Sequence, residues 1–452
     1  MKVRVLPVAV SLAWFACVGS TPHASDATAP APAPASTSTP APSMADIDKA
    51  LINGDAARVR EVGAAMKLGP GNMHLMETQL AYDLRGLLPT ALQCREAELA
   101  MNVMPSAMSC NAIAFHTALH LGNAREAFGA LAWFKKVGFP YQTRTTGKPA
   151  SFGNAIDRVD VQHLADTLPE FSTTLAPGAA TLKYVNLSSI TSMDANGQMK
   201  LEDAGIKALP AISVEVNGKK VDAFVDTGMG DTLVMDQVHA DALGVKPLVT
   251  GLPPAGTIAM GPLGTSLTLG ITDKLVVGPL TFHNVVTLVA PGSALLADRV
   301  ILGLPAVARF RQVSFGKDAL TVGGDPVTCK APLPLVFAST TDEEGKLVFD
   351  AKADGKMIRA SIDTGSTAAL LAGHRLALPG MEKQTLDSAP TRYLKLAIGD
   401  STTINNLTTP VITTMEVPDV MVGAPLIAAW DMRFNFDKPW LCFEARMRPT
   451  AP

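Results

Sequence analysis

Two aspartates occupy the same five-residue setting, Phe224-Val225-Asp226-Thr227-Gly228 and Ser361-Ile362-Asp363-Thr364-Gly365. A carboxylic acid can give up a proton and a carboxylate can take one. Two such groups held together in a low-dielectric site cannot both ionise, so they share one proton and offer an acid and a base at the same place. The flanking segments align without a gap, residues 212–228 on 349–365, at a constant offset of 137. A duplicated frame of this kind points to two carboxylates that meet across a pseudo-twofold axis. The alternative is two turn aspartates in unrelated strands, because Asp is common in turns.

Elements must carry the two loops to one place, and the sequence repeats those as well. Asn217-Gly218 and Asp354-Gly355 are hairpin signals, with the glycine eight positions before each aspartate. Downstream lie two apolar-apolar-Gly segments, Val300-Ile301-Leu302-Gly303 and Val420-Met421-Val422-Gly423. Each is followed by an apolar stretch and a last strand pair, 313–315 with 319–322 and 434–436 with 440–443. Each half therefore predicts strand, hairpin, strand, Asp-Thr-Gly, a helical piece, more strands, apolar-apolar-Gly, a short helix and a final hairpin. Short strands with Gly, Asn and Pro turns run from about Lys183 onward, including 212–216, 221–225, 267–271 and 285–289.

On these four anchors the chain resembles the pepsin and retropepsin superfamily of aspartic proteases, closest to bacterial exported proteins with retropepsin-like lobes. The resemblance covers about 183–446 of the 452 residues. It implies a mostly β, bilobal pepsin-like fold with lobes at 183–326 and 327–446, preceded by a small α-helical domain. It implies that Asp226 and Asp363 are catalytic, with Thr227 and Thr364 bonding across to the opposite loop. Gly228 and Gly365 match positions where backbones approach closely, and Gly303 and Gly423 match glycines of the strand passing each loop. Ser366 matches a residue that supports Asp363, whereas Met229 stands where the family usually has Ser or Ala. Asp231 reads as a solvated turn residue. The Asp-to-Gly interval is 77 positions in the first half and 60 in the second, and the Gly/Pro-rich excursion 251–265 is expected to form a substrate flap. That flap holds Met260 and no tyrosine. The implied chemistry needs no metal and no organic cofactor, and the implied substrate is a protein or peptide.

The first third reads differently. Lys2 and Arg4 precede a short apolar run, 6–18, and then small residues, which is the layout of a signal peptide ending near residue 24. Cys17 leaves open a lipid anchor, so a secreted or periplasmic protein and a membrane-anchored lipoprotein both fit. Residues 25–43 are a Pro/Ala/Ser/Thr linker. Helical spacing runs from about 45 to 168, which assigns an α-helical domain to 44–175. Its stretch 75–100 is broken at Leu88-Pro89, and the stretch 112–137 is broken at Leu121-Gly122-Asn123 to give an αα-hairpin. The phrase 118–128 resembles one turn of a tetratricopeptide or Sel1-like repeat, without a clear period. Four cysteines remain beyond the signal: Cys94, Cys110, Cys329 and Cys442. Of the three connectivities, Cys94–Cys110 and Cys329–Cys442 keep each bridge within one domain, and buried free thiols are the alternative. His116 and His120 share a helix face, but the sequence offers no third metal ligand at characteristic spacing. A formal net charge of −3 and the lack of a basic stripe argue against nucleic acid.

Three functions compete on this reading. The first is an exported aspartic endopeptidase acting through Asp226 and Asp363. The second is an inactive protease-fold binding or scaffold protein. The third is a helical adaptor whose residues 45–170 bind a protein partner.

Overall fold

A computed structural model describes residues 42–185, 209–252, 257–258, 261–262, 266–290, 299–325, 328–338, 346–367, 370–373, 391–399, 402–412, 419–428 and 430–445. The signal segment, most of the linker, Cys17 and Met260 lie outside them. The chain is helical first and β-rich afterwards, and the β part is bilobal.

Helices run from Met44–Ile52 to Val161–Thr167. Ser43 starts the first one, with the Asp46 carboxylate reaching back to its backbone and hydroxyl. Met104–His120 and Ala124–Trp133 form the expected αα-hairpin, broken at 121–123, where the Asn123 side chain accepts from the Glu126 N–H. The break expected at Leu88-Pro89 is displaced. Helices Pro70–Leu80 and Leu87–Ala100 part at 81–86, and Pro89 falls in the first helical turn, where a missing N–H costs nothing. Beyond the last of these helices, still within the span assigned to the helical domain, Ser172–Leu175 forms a strand. It adds antiparallel to Leu280–Val289 at the edge of the first lobe.

The first lobe holds an eight-stranded sheet among the described residues. At its centre Lys219–Asp226 lies between its hairpin partner Ala211–Val216 and the parallel strand Val300–Gly303. The second lobe repeats this arrangement, with Lys356–Asp363 between Lys346–Ala353 and Val420–Gly423. Both hairpin turns use left-handed backbone at the predicted dipeptide, with φ of 49° and 81° at Asn217-Gly218 and 49° and 83° at Asp354-Gly355.

A third, six-stranded sheet joins the lobes. Gln312–Phe315 of the first half pairs antiparallel with Trp430–Asn435 of the second, Val313 opposite Phe434. The pseudo-twofold axis therefore passes between these two strands. Phe315, Phe349, Phe434 and Leu441 are buried in one apolar core that spans both lobes. That shared core sets the relative position of the two strands that end in Asp-Thr-Gly.

Candidate active site

Each aspartate ends a central strand. Alternation along Lys219–Asp226 buries Ala223 and Val225 and drives the chain out of the sheet at Asp226. Gly303 is the direct register partner of Asp226, and Gly423 that of Asp363. The strand passing each loop is thus placed as the resemblance implies. A Cβ on Gly303 would collide with the carbonyls of Asp231 and Met229, so no larger residue fits there.

The two loops lock into each other through their threonines. Thr227 Oγ1 donates to the Ile362 carbonyl at 2.9 Å and accepts from the Thr364 N–H at 3.1 Å. Thr364 Oγ1 donates to the Val225 carbonyl at 2.6 Å and accepts from the Thr227 N–H at 3.0 Å. All four bonds are buried, where unmade bonds are most costly. Within each loop the glycine N–H holds the aspartate, Gly228 N to Asp226 Oδ1 at 2.8 Å and Gly365 N to Asp363 Oδ1 at 2.9 Å. A Cβ on Gly228 would fall on the Asp363 carboxyl, and one on Gly365 on the Asp226 carboxyl. Each glycine is therefore the floor under the opposite acid.

The two carboxyl groups hydrogen-bond one another. Burial, then the Asp363 charge, then that hydrogen bond push the Asp226 carboxyl well above the ordinary carboxylate range. The Gly228 N–H and the Lys346 charge pull more weakly the other way. Both residues are half-buried overall, packed round at the carboxyl yet not sealed from solvent. The pair can hold one proton as a unit, with neither member fixed as acid or base.

Beyond their glycines the two loops diverge. Met229 is buried in an apolar cluster with Val234, Leu252, Leu267 and Ile301. Ser366, its counterpart, is also buried, and the equivalent backbone bonds match: Met229 N to Asp226 O at 3.3 Å, and Ser366 N to Asp363 O at 3.1 Å. Asp231 is half-buried rather than solvated, with its carbonyl against Gly303. In the flap region Thr257–Ile258 pairs with Gly261–Pro262, a small hairpin beyond the paired strands Lys246–Leu252 and Leu267–Val277.

Both expected disulfides are formed, Cys94–Cys110 and Cys329–Cys442. Among the described residues no group of three or more His, Cys, Asp or Glu could hold a metal. His116 and His120 are both half-buried, and desolvation of the ring lowers each to a pKa of about 4. What sequence reasoning missed is the use of His120. It meets Tyr82 and the chain just after Gly228, two partners that no local spacing connects.

Residues 212–306 match an aspartyl protease family model. The matched stretch begins in the strand Ala211–Val216, ahead of Asp226, and ends just beyond Gly303. No curated protein matches the chain. Among solved structures, a retropepsin-like aspartic protease from Rickettsia conorii is 19% identical, over 34% of this chain and 94% of its own, with a TM-score of 0.21. Basic 7S globulin from soybean is 12% identical over 59% of this chain and 95% of its own, with a TM-score of 0.35. The protein edgp is 11% identical over 60% of this chain and 96% of its own, with a TM-score of 0.36. Likeness at such scores carries no function, and the chemistry is read from the loops themselves.

Proposed function

We propose that this protein is an aspartic endopeptidase whose catalytic residues are Asp226 and Asp363. The observation that carries the proposal is the hydrogen-bonded carboxyl pair held by reciprocal threonines, with Asp226 driven towards its protonated form. In this reading the ionised member takes a proton from a water as that water attacks the scissile carbonyl carbon. The protonated member donates to the carbonyl oxygen, which gives a neutral tetrahedral diol. The pair's proton then passes to the amide nitrogen, the C–N bond breaks, and a diol hydroxyl gives its proton to the pair, which again shares one. No covalent bond to the enzyme forms.

The substrate class is an extended protein or peptide, bound as an added strand beside the pairing of Thr257–Ile258 with Gly261–Pro262. The signal-like N-terminus and the two disulfides favour a site of action outside the cytoplasm. The test is cleavage of a mixed peptide library by the full chain, with Asp226→Asn and Asp363→Asn as controls. Each variant should lose at least ~10³-fold in turnover, as removing one member of a working pair does. Equal cleavage by wild type and both variants would remove the dyad as the catalyst. No cleavage by folded wild type would favour the binding-protein reading, to which the apolar Met229 beside Asp226 gives some support.

A further inference from the structure

Tyr82 and His120 leave the helical region and end inside the β lobes. Tyr82 follows helix Pro70–Leu80, and His120 is the last residue of Met104–His120. The Tyr82 ring is 1% exposed and lies 4.6 Å, between centroids, from Phe337 in the second-lobe strand Val336–Ala338. It also lies 6.4 Å from Phe436, just past the interlobe strand Trp430–Asn435. Its hydroxyl is 2.9 Å from His120 Nε2.

His120 reaches the first lobe. Its ring bonds the Gly230 backbone, and its own carbonyl accepts from Thr232 Oγ1 at 2.9 Å. The Thr232 carbonyl in turn accepts from the Gly303 N–H at 3.2 Å. A neutral imidazole has one N–H and one bare nitrogen. The tautomer that satisfies every partner gives the N–H to the Gly230 carbonyl and accepts the Tyr82 hydroxyl at Nε2. Two residues on, the Gly122 carbonyl accepts from the Val286 N–H at 2.8 Å, so the end of this helix is stitched into the first-lobe sheet.

We propose that the helical region is a permanent working part of the protein, in which His120, braced by Tyr82, is a positioning residue for the Asp226 loop. This rests on the peptidase reading for its kinetic consequence, though not for its structural one. Residues 229–232 carry the chain away from Asp226-Thr227-Gly228, and His120 grips them at two points. The Tyr82 ring meanwhile bears on the second lobe and the interlobe junction. The Tyr82–His120 pair therefore links the height of the first loop to the lobe that supplies Asp363. The buried Tyr82 hydroxyl and the half-buried His120 imidazole are both satisfied only while this linkage is intact. Removal of the helical region would take both side chains away, deprive the Thr232 hydroxyl of its acceptor and uncover Phe337 and Val285. The region is therefore not a detachable pro-segment.

The test uses the full chain with His120→Leu, His120→Gln and Tyr82→Phe, each checked for folding by circular dichroism. Gln can still donate to Gly230 and accept from Tyr82. His120→Leu should lose roughly 10²-fold in kcat with KM nearly unchanged, the scale of a misplaced reacting group. His120→Gln should recover most of that loss, and Tyr82→Phe should fall between them. Amide hydrogen exchange gives a second readout independent of catalysis. In His120→Leu, residues 229–233 should exchange faster, while 364–367 remain as in wild type. Equal exchange in the two loops, an unchanged kcat in folded His120→Leu, or an active species that begins beyond residue 168 would each overturn the proposal. If the wild type cleaves nothing, the peptidase reading fails alone and the exchange comparison still decides this one. If His120→Leu does not fold, the Gln and Phe variants carry the test.

Discussion

Thr227 and Thr364 each donate a side-chain hydrogen bond to the backbone of the opposite lobe, to Ile362 at 2.9 Å and to Val225 at 2.6 Å. The acceptor is in each case the residue immediately before the other lobe's aspartate. The grip therefore fixes the distance between the acids, because it joins the two strand ends from which they project. The interlobe sheet sets the coarse position of the lobes, and the threonines set the fine one.

Thr227→Val keeps the shape and deletes the hydroxyl. It leaves the Ile362 carbonyl and the Thr364 N–H buried and unpaired, at a cost of about 2–4 kcal/mol in total. Thr227→Ser keeps both bonds and should lose less than about 1 kcal/mol. Urea denaturation of the two variants beside wild type measures this. A Thr227→Val protein as stable as Thr227→Ser would show that the grip contributes nothing.

Gly365→Ala tests the floor beneath Asp226. The added methyl would occupy the space of that carboxyl, while Gly147, with nothing near its Cβ, gives a control for glycine replacement. Turnover of Gly365→Ala should fall by roughly 10²-fold or more as the acid is displaced. The control has a left-handed backbone and should lose stability only. Retention of full turnover in Gly365→Ala would mean that the carboxyl pair tolerates being pushed apart.

The duplicated frame was legible because its signals are local. A two-residue turn with left-handed backbone demands Asn, Asp or Gly, so Asn217-Gly218 and Asp354-Gly355 announce their hairpins directly. Each turn also binds an equivalent partner: the Lys274 N–H bonds Asn217 Oδ1 at 3.0 Å, and the Lys395 N–H bonds Asp354 Oδ1 at 3.0 Å. The crossed threonine bonds came from the family resemblance. Pro89 misled because a proline reads as a break wherever helix phase is unknown. Ser172–Leu175 gave no strand signal, since an edge strand half exposed along its length has no apolar alternation to display. The Tyr82–His120 contact was out of reach of any periodic pattern, because it joins the ends of two helices through the tertiary fold.

Acid should weaken this protein before neutral pH does. His116 and His120 have folded pKa values of about 4, below the ordinary 6.5. The unfolded chain takes up protons below about 6.5 and the folded one only near 4, so the stability present above 6.5 is lost as pH falls through this window. The loss is on the order of 3 kcal/mol per histidine. His116 Nε2 has no hydrogen-bond partner among the described residues, so His116→Leu should flatten the acid side of a Tm-against-pH curve. An unchanged acid slope would show that His116 titrates normally.

Asp226 has the opposite slope. Its folded pKa is raised, so the stability it allows is complete below about 3.8 and declines as pH rises towards the folded value. Asn cannot ionise and escapes that decline. Asp226→Asn should therefore have a higher Tm than wild type at about pH 7, and little advantage near pH 3.5, while it abolishes turnover. A Tm no higher than wild type at neutral pH would show that the carboxyl pair is not strained by burial.

The two disulfides should differ in worth because they close loops of different length. Cys94–Cys110 spans 16 positions and ties Leu87–Ala100 to Met104–His120, helices already joined by a short turn. Cys329–Cys442 spans 113 and fastens the start of the second lobe to the last strand, Trp440–Ala445. Beside it the two-residue strand Leu333–Pro334 makes the same connection. Loop-closure entropy assigns about 3 kcal/mol to the first and about 5 kcal/mol to the second. The double variant Cys329→Ser with Cys442→Ser should then shift the urea midpoint more than Cys94→Ser with Cys110→Ser. It should also open the interlobe sheet first, seen as faster amide exchange in 430–445 than in 211–226. Equal shifts, or exchange confined to the helices, would mean that the long bridge restrains a lobe already held by its core.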